Sequence, residues 1–363
     1  MMKRMKLLLM KTKRTVSEGG RLSLLSDYRT EIMGLAALGV VLCHACLHCD
    51  LPPFLYKILH LGNQCVDIFL FVSGMGIYFS LRKINNGLDN GLGILFWFKR
   101  RFSRIIIPYL IAAIPFYIWF CITNHYGLSR YFYHLSSLSF WVEHEGMWFV
   151  DLLMPLYLVS PVMAFFIEKV GKNRWVPTML LITICFLWSV VSFADDLRGK
   201  VAYDVFSNIQ YVACRVPMYV LGYFTGKYVM ENKRLNGFVL ISCMTLVYMV
   251  IKLFWGDSAY CGWFWGLIMM SVFCGVIHLI KRAKLRKILI WLGKRSLEIY
   301  LANCILVPFL FSFSYKFGSV DLTKGNFFYY FLVIVIGFPL AEVIHCLSDR
   351  IRNVACLDLE SRK

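Results

Sequence analysis

Residues 41–50 read VLCHACLHCD, three cysteines at three-residue spacing threaded by two histidines four apart. Thiols and imidazoles at this density raise metal binding first. A Cys-x2-Cys site normally sits on a loop or knuckle that turns its ligands toward one ion. On a helix, three-residue steps rotate by about 300°, so Cys43 and Cys49 end up roughly 120° apart. His44 and His48 do share a helical face, as zinc-binding pairs do, but no acid lies between them and no third ligand is marked. The cysteines therefore read as small hydrophobes packed between helices, and no metal is expected. His44 is the candidate with chemistry. Asp67, in the following NQCVDIFLFVSG, lies a few residues beyond the short PP connection and at similar depth. A carboxylate on one imidazole nitrogen leaves the other free as a base and stabilises the charged ring. The same pair could also be a proton relay or a structural bond between helices.

What must position these two side chains is set by composition. Of 363 residues, 59% are hydrophobic and only 17% charged, with a mean hydropathy of +0.63. A soluble domain carries about 25% charged residues, so this chain cannot clothe a water-facing surface. The expected fold is all-α, a polytopic membrane bundle of about ten transmembrane helices. Apolar runs long enough to span lie near 32–49, 61–81, 105–123, 147–167, 175–193, 209–226, 237–254, 263–280, 296–315 and 327–347. An ionisable residue inside such a span is costly and reads as functional, which singles out His44, Asp67 and Arg215.

The net charge of +18 does not point to nucleic acid. With the N-terminus cytoplasmic, most of the 39 Lys and Arg fall on the tails and on every second connection, including KRAKLRK at 281–287. That is the positive-inside bias, repeated at each crossing. It places both termini in the cytoplasm and the protein in the cytoplasmic membrane, with anionic lipid as its electrostatic partner. The organisation expected is a basic tail over 1–28, one membrane domain over 29–350 and a short tail over 351–363. The apolar run in MMKRMKLLLMKTKR is too short for a signal-peptide core.

Six stretches then form an ordered series. They are YRTEIMGLAALGVVLCH, VDIFLFVSGMGIYFSL, FKRRFSRIIIPYL, MWFVDLLMPLYLVSPV, CRVPMYVLGYFTGK and LGKRSLEIYL. Together they resemble the acyltransferase-3 family of integral membrane acyltransferases, known for O-acetylating surface polysaccharide and lipopolysaccharide sugars. The resemblance covers nearly the whole membrane portion. It makes His44 the essential histidine, and Asp67, Ser73 and Gly74 the second-helix motif. It implies an O-acyltransferase that moves an acyl group, expected to be acetyl, from cytoplasmic acyl-CoA to a hydroxyl of an envelope glycan or lipid-linked sugar. His44 is then general base or acyl carrier, with Asp67 orienting it.

The donor's phosphates need cations, and arginine binds two oxygens at once. Lys99, Arg100, Arg101 and Arg104 cluster where the third span opens, and Arg29 joins them as an expected acyl-CoA contact. The family usually has arginine eleven positions before the histidine; here that place holds Met33, and Arg29 with Glu31 is the local substitute. Arg215, Trp148, Tyr157, Ser296, Tyr300 and Asn303 are the expected substrate-binding side chains. Many members carry histidine where Asn303 stands, and asparagine cannot titrate. The aromatic connection at 125–146 reads either as an interfacial belt or as a stacking surface for the acceptor. A glycan transporter or flippase, a catalytically idle relative, and a haem or iron–sulfur subunit built on the Cys/His stretch are the competing readings.

Overall fold

The computed structural model describes residues 22–48, 51–86, 92–170, 173–190, 199–234, 245–250, 253, 262–280, 283–316 and 327–360. These are helical almost throughout, in chain order α1 (Ser23–Asp27), α2 (Arg29–His48), α3 (Pro53–His60), α4 (Cys65–Asn86) and α5 (Leu92–Thr123). There follow α6 (Leu128–Leu135), α7 (Leu138–Glu143), α8 (Trp148–Lys169), α9 (Trp175–Val190) and α10 (Val201–Ala213). The last are α11 (Val216–Met230), α12 (Gly262–Leu279), α13 (Ala283–Lys294), α14 (Ser296–Lys316) and α15 (Phe327–Glu360). The architecture is an all-α membrane bundle. Four helical stretches are long and apolar enough to cross a membrane, Pro53–Ile84, Gly93–Thr123, Trp148–Lys169 and Tyr330–Val354, with shorter apolar helices at Trp175–Trp188, Phe264–Leu279 and Ser296–Leu310.

Eight of the ten expected spans coincide with single helices; the seventh, 237–254, lies mostly outside the described residues, with 245–250 helical. The sixth, expected to run unbroken over 209–226, is corrected by the structure. The chain breaks at Cys214–Arg215 and restarts as α11, with Pro217 in its first turn. Proline lacks an N–H and fits the opening of a helix, where that donor has no intrahelical acceptor. Arg215 therefore caps α11 and is not carried mid-span. Most of the 1–28 tail lies outside the described residues, and α15 runs on through residue 351 to Glu360.

Two features of this packing build the site. First, α4 and α11 lie in backbone contact, because a Cβ on Gly222 would collide with the Phe71 carbonyl and one on Gly74 with the Tyr219 carbonyl. Glycine is what allows helices to approach so closely. Second, α5 and α15 have 32 and 34 residues. At 1.5 Å per residue each is about 50 Å long, well past a roughly 30 Å hydrocarbon core. Their overhang surrounds the end where α2 begins, called the basic end below.

Candidate functional site

At the basic end, α2, α4, α5, α8, α13, α14 and α15 line a cavity of about 560 Å³. Five cations line it: Arg29, Arg101, Arg104, Lys294 and Arg352. Arg101 donates to the Gly76 carbonyl at 2.8 Å and sits over the rings of Trp97 and Tyr157, both at 5.9 Å. These contacts leave part of its fork facing the cavity. On the α14–α15 wall, His345 Nδ1 meets Glu298 at 3.0 Å, its Nε2 approaches Asp349 at 3.5 Å, and Asp349 bonds Arg352. The cavity is thus cationic overall, with a carboxylate–imidazole strand along one side.

A second, smaller chamber of about 270 Å³ lies deeper, at the far end of α2. Its lining includes His44, Cys43, His60, Asn63, Trp148 and Tyr211. Val40, Val66 and Tyr300 line both the chamber and the basic cavity, so the two spaces meet across three side chains. Tyr300 is fixed there by the Phe149 amide, which donates to its hydroxyl at 3.3 Å.

His44 lines the chamber with its Nδ1 against Oδ1 of Asn303 from α14. The facing atom is a carbonyl oxygen, so Nδ1 is the donor of this pair, and in the neutral ring Nε2 is the nitrogen with the lone pair. This corrects the expected His44–Asp67 couple: the orienting partner is a carboxamide. Asp67, 0% exposed, instead directs Oδ2 at Arg215, 1% exposed, at 3.3 Å. A buried guanidinium demands a counter-charge, which draws Asp67 to the α11 side. Cys43 donates its thiol to the His60 carbonyl at 3.7 Å, as a small packed residue; the side chains of Cys46, His48 and Cys49 lie outside the described residues.

The other expected site residues separate cleanly. Arg29, Arg101, Arg104, Tyr157 and Ser296 line the basic cavity, Trp148 the chamber, and Tyr300 both. Tyr157 and Ser296, expected at the acceptor, thus stand on the other side of the shared wall. Lys99 and Arg100 are exposed outside the cavity lining, because consecutive helix positions point about 100° apart. Met33 lines the basic cavity beside Arg29, while Glu31 is taken by Arg286 at 2.7 Å and stands outside the lining. Arg215 does not line the chamber; it backs the wall, 5.1 Å over the Trp148 ring and bonded to Asn63. None of residues 125–146 lines the chamber. Sequence reasoning missed Lys294, His345, Glu298, Asp349 and Arg352 in the cavity, and His60, Asn63 and Tyr211 in the chamber. Lys294 and Arg352 lay inside basic segments already read as topological; nothing local marked the others.

An imidazole in a small chamber that shares a wall with a cationic cavity suits group transfer between two substrates. The family model described as an acyltransferase domain matches residues 34–346. The chain belongs to the acyltransferase-3 family. It is a membrane acyltransferase, and the matched span includes His44, Asn303 and most of the walls of both cavities. No curated protein and no solved structure matches the chain.

Proposed function

We propose that this protein is an O-acyltransferase of the cytoplasmic membrane, moving a short acyl group, acetyl in the first instance, from cytoplasmic acyl-CoA to a hydroxyl of an envelope glycan. The donor's phosphates bind Arg29, Arg101, Arg104, Lys294 and Arg352 at the basic end, which faces the cytoplasm. A cavity of about 560 Å³ falls within the usual range for such ligands, roughly 300–1,000 Å³. The thioester reaches past Val40, Val66 and Tyr300 to His44, and the acceptor enters the chamber from the opposite face.

The reaction follows from the ring's tautomer. Nε2 takes the acceptor's hydroxyl proton as the oxygen attacks the thioester carbonyl. The carbon–sulfur bond breaks, the new ester forms, and the imidazolium returns the proton to the departing CoA thiolate. No net proton is consumed. Asn303 holds Nδ1–H throughout but carries no charge to stabilise the imidazolium, so the proton is passed on rather than stored. Direct transfer is favoured over an acyl-enzyme because the donor cavity and the His44 chamber share one wall.

The observation that carries this reading is the shared wall of Val40, Val66 and Tyr300 between the cationic cavity and the His44 chamber. The test is release of CoA thiol by detergent-purified protein given acetyl-CoA and a glycan acceptor. His44→Ala should abolish release while leaving acyl-CoA binding intact. Glycan movement across vesicles without thiol release would replace the enzyme with a transporter.

A further inference from the structure

The chamber's wall carries an arrangement that selects its occupant. None of its lining residues is Lys, Arg, Asp or Glu. Arg215 and Asp67 are buried behind the wall and bonded to each other at 3.3 Å. Arg215 also donates to Asn63 twice, to Oδ1 at 3.1 Å and to the backbone carbonyl at 3.4 Å. With Oδ1 accepting from a cation, the donor end of the Asn63 carboxamide is its NH2 group, on a residue that lines the chamber. The same guanidinium lies 5.1 Å from the Trp148 ring centre, and Tyr211 meets that ring edge-on at 5.4 Å, which pins the indole in the wall. A positive charge is thereby presented to the chamber as two neutral features, an amide donor and an aromatic face.

We infer that Asn63 and Trp148, held from behind by Arg215 and Asp67, form the acceptor subsite, and that it takes the acceptor's reacting end as one uncharged ring. This rests on the acyl-transfer reading above and adds to it the substrate class. An indole face and an N–H donor suit the C–H face and a hydroxyl of a pyranose. The chamber, about 270 Å³, is below the usual range of roughly 300–1,000 Å³ for drug-sized ligands and fits a single ring. An anionic sugar would lose its hydration and find no Lys or Arg in the lining, whose imidazoles are His44, held at Nδ1 by Asn303, and His60, while Arg215 is shared among Asp67, Asn63, Trp148 and Tyr211. Arg215 is a positioning residue here, acting through Asn63 and Trp148.

The experiment uses the full chain in detergent with acetyl-CoA and two matched probes, a methyl hexopyranoside and the methyl hexuronoside with a carboxylate in place of the primary alcohol. The neutral glycoside should drive CoA release with a kcat/KM at least about 100-fold above that of the uronoside, the penalty expected for an unpaired buried charge. Asn63→Ala should raise the KM for the neutral glycoside about 10-fold, with kcat and the Kd for acyl-CoA nearly unchanged. Equal use of the uronoside, an unchanged acceptor KM in Asn63→Ala, or acyl-CoA binding with no stimulation by either probe overturns the inference. Absence of acyl-CoA binding by the unaltered protein would instead overturn the acyl-transfer reading beneath it.

Discussion

Asn303→Ala isolates what the carboxamide does for His44. In the structure its Oδ1 is the partner of His44 Nδ1, and Asn303 itself is buried and lines neither the basic cavity nor the chamber. Alanine removes the acceptor that fixes the tautomer and the ring's rotation. A neutral hydrogen bond of this kind is worth about 1 kcal/mol to the fold. Its effect on rate is larger, because a ring free to turn presents Nε2 correctly only part of the time; by analogy with the orienting partners of metal-bound histidines the loss is about 10–100-fold. That range corresponds to about 1.4–2.7 kcal/mol of barrier. The expected result is a kcat down 10–100-fold with unchanged KM for acyl-CoA, read by CoA release with a thiol-reactive chromophore. Asn303→Asp keeps an accepting oxygen in place and should retain more activity than the alanine variant. A wild-type kcat in Asn303→Ala, or a raised acyl-CoA KM with kcat preserved, would refute the assignment of Asn303 as the positioning residue.

Arg101→Ala combined with Arg104→Ala should weaken acyl-CoA binding about 10–100-fold, on the basis of roughly 1.5–3 kcal/mol for a charge-assisted bond in a partly wet cavity. Lys99→Ala with Arg100→Ala should leave the Kd unchanged; isothermal titration in detergent distinguishes the pairs. Asp67→Ala leaves the Arg215 guanidinium buried without its carboxylate and should cost about 3–5 kcal/mol, seen as a large fall in the detergent melting temperature. In the α6–α7 segment, the Arg130 guanidinium hydrogen-bonded to Glu143 holds that carboxyl below the usual carboxylate range. A depressed carboxylate stabilises the folded form above its unfolded pKa, ordinarily about 4.3, and the benefit fades as pH falls through the lower folded value. Hydrogen-exchange protection of α6–α7 should therefore hold from pH 7 to about 5 and drop below that. Glu143→Gln should flatten this profile, with an amplitude under about 1 kcal/mol because both partners are about a third exposed.

The helices were legible because each apolar run of about 20 residues has one stable solution in a bilayer, so hydropathy alone locates it. The break at Arg215 was not, since a span average smooths over a local interruption and only Pro217 hinted at it. His44 was legible because a costly residue type sits inside a span, and Arg101 because it belongs to a basic cluster where the third span opens; they line the chamber and the basic cavity respectively. The pairing of His44 was not. Depth along two helices placed Asp67 near it, but which side chain faces the ring depends on helix rotation, which period and hydropathy leave open. Asn303, 259 residues away along the chain, reaches His44 only because α14 packs against α2. Lys99 and Arg100 illustrate the opposite error: a charge cluster in sequence spreads around a helix, and two of its four members leave the cavity.

The distribution of charge across the two spaces also explains why so polar a pair as Arg215 and Asp67 sits where neither substrate touches it. On the proposed reading the donor is anionic, and the basic cavity offers it cations that remain partly wet, so binding need not bear their full desolvation. The acceptor chamber must stay free of loose cations, or it would compete for the donor's phosphates and draw them past the shared wall. An arginine neutralised by Asp67, and felt in the chamber through Asn63, Trp148 and Tyr211, meets that requirement. Removing Asp67 would then do more than destabilise the fold. It would release a cation beside the chamber, so any Asp67→Asn protein that still folds should bind inorganic phosphate more tightly and be inhibited by it. Unaltered phosphate inhibition in such a protein would mean that Arg215 and Asp67 serve packing alone.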